Sequence, residues 1–306
     1  MVDLGRLADR GPVAAAATAA AMLAAALLLP AFVPAASLLS LPLLIGSAAV
    51  VVFVVLRRGE AAALRAAGFC LAILVLLSLA LSGSVIRVPL VALVLWLPAV
   101  LAAVVLRRTV RLDIAVLVVT FCGLLTVLVV ELAVGGSSEL WREAVRMQLG
   151  DPSRTGLTEA QFATLVETLA ARMSGALGVS VMLVALCALF LGRSWQAAAV
   201  RPGGFREEFH ALSLGRGAAF ACVGFVALAF VLDGTLWDAF AFVLVVAFFV
   251  QGLAVAHATV ARRGLARGWL VGLYLMLFLP HTVLLLAALG LADNAVPLRG
   301  STTPPA

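Results

Sequence analysis

Nine apolar stretches, most of them long enough to cross a lipid bilayer, run through this 306-residue chain, and its 21 basic side chains, all arginines, sit almost entirely between them. A crossing helix needs about 20 apolar residues for a hydrocarbon core of roughly 30 Å. In hydrocarbon every backbone N–H and C=O must be satisfied within the protein, so a chain built this way folds as helices. The pattern predicts an all-α, polytopic transmembrane helical bundle forming a single transmembrane domain over residues 1–306. Spans are expected near 12–29, 37–56, 66–82, 88–106, 113–134, 174–192, 217–232, 239–256 and 268–290. With 64% hydrophobic and 12% charged residues, the composition leaves no room for a separate globular domain.

Arginine placement sets the expected orientation. With the N-terminus in the cytoplasm, 15 arginines fall in inside segments and 6 outside, and four of those six lie in one long acidic loop where charge contributes little to orientation. Nine spans then leave the C-terminus outside, with residues 292–306 expected as a disordered tail. The net charge of +6 does not point to nucleic acid, because the arginines occupy short loops at span ends rather than one continuous face. Cys70, Cys122, Cys187 and Cys222 each fall within an apolar run without CxxC spacing, so they read as small hydrophobes.

Three segments are more than lipid filler. In the first span Ala15 and Ala19 stand four apart among further alanines, a small-residue face that could dock a partner subunit or pack on the chain's own helices. The outside loop, residues 135–172, carries two amphipathic patterns, and Thr158 to Gln161 reads as a capping box with Leu157 and Phe162 as its staple. It is expected either to close over an outward-facing cavity or to lie as a cover on the membrane surface. The inside loop, residues 193–216, holds Pro202-Gly203-Gly204 followed by a short helix. There Phe205 and Phe209 align on one side while Arg206, Glu207 and Glu208 point elsewhere, which suits docking of a partner or an interfacial helix. Anion binding at the helix start is opposed by Glu207 and Glu208.

Polar groups at membrane depth are few. Gln251, Tyr274 and His281 are the deepest, and Tyr274 and His281, seven apart, share a helix face beside Pro280. They form a candidate polar centre, either for a ligand or as interhelical bonds that hold the bundle. No metal-binding, nucleotide-binding or nucleophile motif occurs, and Glu207-Glu208 lack a third ligand. The expectation is a protein without catalytic activity, cofactor or metal.

Trp195-Gln196 and the run from Pro202 to Leu212 resemble the central signature of the YybS-like bacterial membrane proteins. Leu41-Pro42-Leu43-Leu44 with Arg57-Arg58-Gly59, Gln251 to His257 before Arg262-Arg263-Gly264, and Leu289 to Asp293 with Arg299 agree with it across nearly the whole chain. Arg201 and Ala295 depart from the pattern, which has an asparagine and an aromatic at those places. The family is one of predicted inner-membrane proteins without an assigned activity. The alanine-rich first helix, the prolines and Leu41 to Leu44 also resemble the opening of the substrate-binding membrane subunits of energy-coupling-factor transporters. These resemblances imply a bacterial inner-membrane scaffold or accessory subunit in contact with lipid and a protein partner, or alternatively a substrate-capture subunit of a small-molecule transporter.

Overall fold

The computed structural model describes residues 11–33, 37–82, 85–134, 139–154, 156–232, 234–266, 268–296 and 298–299. Among them there are thirteen α-helices and no strand. They are α1 (Pro12–Phe32), α2 (Ser37–Arg58), α3 (Glu60–Ser82), α4 (Arg87–Thr109), α5 (Leu112–Val134), α6 (Glu139–Leu149), α7 (Glu159–Ala170), α8 (Met173–Val200), α9 (Gly204–His210), α10 (Gly215–Val231), α11 (Thr235–Arg262), α12 (Gly268–Met276) and α13 (Pro280–Ala295). Seven of these, α1 to α5, α8 and α11, are each long and apolar enough to cross a membrane. Two broken pairs, α9 with α10 and α12 with α13, pass the same test only when each is taken together. The chain is thus a multi-pass membrane protein.

The helices gather into two compact units. The described residues of Met1–Val119 and Val181–Ala211 form the first. There α1 packs on α2 and α3, and α2 in turn packs on α3 and α4. Ser47 Oγ donates to Ala19 O at 2.9 Å, so even the hydroxyl between α1 and α2 is matched. Gly59 alone separates α2 from α3, and its positive φ of 92° makes the turn. The expected loop from Arg57 to Arg65 is therefore a single residue, with Arg65 inside α3. Arg107 donates to Val55 O and Leu56 O, both at 3.0 Å, closing off carbonyls at the end of α2.

The described residues of Thr120–Ser180 and Leu212–Ala306 form the second unit. Its centre is α11 against α13. A Cβ added to Gly252 would fall onto the backbone oxygen of Leu286, and one added to Gly290 onto that of Phe248. The two backbones touch because neither residue has a side chain, which is how helices gain van der Waals contact where lipid supplies no hydrophobic drive.

The expected ninth span is a bent pair of helices rather than one. Residues 268–290 do not form one helix: α12 ends at Met276, and α13 starts at Pro280 with a bend of 116°. Pro280 disfavours helical geometry at the residue before it. Leu279 accordingly sits in the extended region, at φ −94° and ψ 118°. Tyr274 meets His257, so α12 runs back along α11. Then α13 turns round: Asn294 near its end accepts from Gly215 N at the start of α10, and Leu298 O accepts from Arg262 at the end of α11. The pair starts and finishes at the same end of its unit.

The expected tail is corrected in part. Helix α13 runs to Ala295, and Leu298 and Arg299 are hydrogen-bonded, so this part of the segment is not a tail; residues 297 and 300–306 lie outside the described residues.

This geometry makes a direct prediction. A side-specific reporter inserted between Arg262 and Gly268 and one fused after Ala306 will respond alike. Opposite responses from the two fusions would restore a ninth crossing.

Candidate functional site

The densest buried polar cluster of the second unit joins α11, α13 and the link between α9 and α10. Gln251 is fully buried. Its Oε1 accepts from Leu214 N at 2.9 Å, and its Nε2 donates to Asp293 Oδ2 at 3.1 Å. Asp293, 8% exposed, also pairs with Arg299, whose Nε donates to Oδ1 at 3.1 Å and whose terminal nitrogen donates to both Oδ2 and, at 2.8 Å, to Leu212 O. Next to it Asn294 Oδ1 accepts from Ser213 Oγ at 3.1 Å and Gly215 N at 3.0 Å, while Asn294 Nδ2 donates to Gly290 O at 2.8 Å. Both arms of Gln251, both oxygens of Asp293 and both ends of the Asn294 amide are occupied. Such a cluster ties segments together, and its polar atoms are turned toward one another.

The predicted polar centre therefore does not converge. Gln251 belongs to this cluster. Tyr274, 47% exposed, shares a hydrogen bond of 2.9 Å with His257 Nε2 and meets its ring edge-on. His281 is exposed in the first turn of α13, beyond the break after α12, so it does not share a face with Tyr274. The seven-residue spacing assumed one continuous helix, and the break at Leu277–Leu279 removes that assumption.

Sequence reasoning missed Asp293, Asn294, Arg299 and Arg193 as partners. A signal for the first and third existed: Asp293 is the one carboxylate after Asp238, and Arg299 the one arginine after Arg267. Two isolated opposite charges flanking an apolar helix need each other, because an unpaired charge there is costly.

In the first unit, α8 continues to Val200, so the expected inside loop at 193–216 begins as helix and turns only at Arg201 to Gly203. Helix α9 folds back on α8. Phe205 and Phe209 pack against Phe190 with ring centroids 5.7 and 5.6 Å away. Arg193 Nε donates to Glu208 Oε2 at 2.9 Å, its terminal nitrogen pairs with the other oxygen, and the same guanidinium reaches Gln196. Of the proposed docking residues, Phe205, Glu208 and Phe209 are thus engaged by α8. Arg206 and Glu207 remain exposed, with Glu207 paired to Arg201 at 2.6 Å. Ala15 and Ala19 are both buried within their own unit, among helices that include α2, so their small-residue face packs on the chain's own helices.

The amphipathic helices at 135–172 pack on each other. Val145 of α6 and Phe162 and Val166 of α7 form one buried cluster, with Leu149, Leu157 and Met173 around it. The capping box at Thr158 is present, and Leu157 reaches the same cluster as Phe162, as a staple requires. Arg142 bridges Glu139 at 2.9 Å and Glu167 at 2.8 Å. Those hydrogen bonds, that to Glu167 first, push the Arg142 guanidinium above its ordinary pKa. Residues 135–138 of this segment lie outside the described residues.

Among the described residues no three His, Cys, Asp or Glu side chains come together as metal ligands. The chain matches no protein-family model, no curated protein and no solved structure.

Two outcomes follow for stability. Arg299→Met leaves Asp293 buried and unpaired and will lower unfolding stability by roughly 3 kcal/mol, the lower end for a broken buried ion pair. Adding Asp293→Asn to it will recover most of that loss, as read by thermal unfolding in detergent; equal instability of single and double variants would refute the pairing. Gly252→Ala will destabilise more than Gly272→Ala, because a methyl at Gly252 meets backbone whereas none is met at Gly272.

Proposed function

We propose that this chain is a bacterial inner-membrane protein that performs no chemistry itself and serves as a scaffold or accessory subunit of a membrane complex. The observation that carries the reading is the saturation of Gln251, Asp293, Asn294 and Arg299 by one another and by the Leu212–Gly215 link. A substrate-capture subunit needs polar groups turned into a shared cavity. Here those at depth bridge helices instead, Tyr274 included, through His257. The resemblance to YybS-like proteins supports the same placement.

The N-terminus lies in the cytoplasm in this reading. With α12 and α13 entering and returning, Arg299 joins the arginines of the inner side, making 16 inside and 5 outside, a stronger bias than nine crossings give. The partner is a cytoplasmic or membrane protein, and its contact is the outer face of α9, where Arg206 and the Arg201–Glu207 pair are exposed.

Gentle purification from the native membrane, followed by mass spectrometry of proteins and small molecules, tests the reading. The expected result is a stoichiometric protein partner lost in Arg206→Glu, with no solute whose retention depends on Gln251, Tyr274 or His281. A stoichiometric solute released by His281→Leu with the fold intact would replace the scaffold by a transporter subunit.

A further inference from the structure

The return of α12 and α13 leaves a cavity of about 450 Å3 against the last turns of α11. Its wall is apolar, with Val255, Val260, Leu273 and Leu289 among the lining residues. Arg262 and Arg263 line it as well, and so does Trp269, which is 67% exposed. No carboxylate is among the lining residues. The volume lies within the roughly 300–1,000 Å3 typical of small-molecule sites.

We infer that this cavity binds one anionic phospholipid of the inner leaflet, its phosphate held by Arg262 and Arg263 and an acyl chain lying along the apolar wall between α11, α12 and α13. The chemistry is complementary at each part. Two guanidiniums present planar donor sets suited to phosphate oxygens. Trp269, with its apolar ring and single N–H, suits the headgroup level, where indoles collect. Below that level the lining is hydrocarbon, which a free anion would leave unfilled and an acyl chain covers. Arg262 already directs one terminal nitrogen to Leu298 O, the contact that brings the chain end beside the cavity, so the lipid would brace the return of α13. Basic pockets between helices on the cytoplasmic side are a recognised kind of site for anionic lipid headgroups. The inference rests on the membrane placement and on α12 and α13 returning, and it is independent of whether the complex is a scaffold or a transporter.

Native mass spectrometry of the full chain in mixed micelles, with phosphatidylglycerol and phosphatidylcholine at equal mole fraction, tests it. The expected result is preferential retention of one phosphatidylglycerol. Retention should fall about fivefold for each arginine removed, given roughly 1 kcal/mol per arginine at an anionic surface. Arg263→Gln is the informative single variant, since Arg262→Gln also removes the bond to Leu298. Arg57→Gln with Arg58→Gln, an equal loss of charge on the same side, should leave retention unchanged. Equal loss in that control, or no preference over phosphatidylcholine, would overturn the site. Displacement of the lipid by millimolar inorganic phosphate would mean that a free anion, and not a phospholipid, is the ligand. Because the unit's thermal unfolding is recorded alongside, a variant that fails to fold is replaced by Trp269→Leu, for which the same fall in retention is expected and an unchanged preference would likewise refute the site.

Discussion

A carboxylate placed at the end of an apolar helix, with hydrocarbon on most sides, has to find a counter-charge inside the protein. Asp293 finds it in Arg299, six residues on, and accepts a further hydrogen bond from Gln251 of α11. Arg299 also donates to Leu212 O, Asn294 meets Gly215 at the start of α10 and Arg262 at the end of α11 meets Leu298, so α13 finishes beside both. The break before Pro280 makes the turn possible, and the glycine contacts at Gly252 and Gly290 let the returning helix lie close. The polar cluster therefore fixes where α13 finishes within its unit.

The same economy recurs in the first unit. Arg193 and Glu208 are matched to each other at the point where α9 folds back, and the three phenylalanines fill the space between α8 and α9. Ser47 bonds Ala19 O between α1 and α2. In hydrocarbon an unmatched polar group is costly, so the polar side chains of a membrane helix are used for joining unless a watered cavity gives them another partner. The exposed side chains of Phe220 and Phe230 in α10 and Phe278 after α12 are large and apolar, as lipid contact would suit.

Most of the helix pattern was legible in the sequence because length and apolarity alone determine it. Seven of the nine expected spans are single helices that pass the crossing test alone, and the capping box at Thr158 lies where its residue types place it. What escaped was direction. Hydropathy registers that residues 268–290 are apolar, and it is blind to whether they continue or turn back. Pro280 was read as a loosening of a straight helix, whereas the extended backbone at Leu279 ends one helix before another begins. The polar centre failed for that reason: Tyr274 and His281 share a face only along an unbroken helix. Asp293 and Arg299 went unpaired in the reading because they were assigned to a tail.

The return of α13 is tested most directly by a short bis-maleimide cross-linker in a background without the four native cysteines, using cysteines at Arg262 and Leu298, whose side chain and carbonyl oxygen lie 3.3 Å apart. The account predicts efficient cross-linking of that pair in membranes and none between Leu298 and Leu232 near the opposite end of α10. Cross-linking of Leu298 to Leu232 in place of Arg262 would contradict it and carry the chain through the membrane once more.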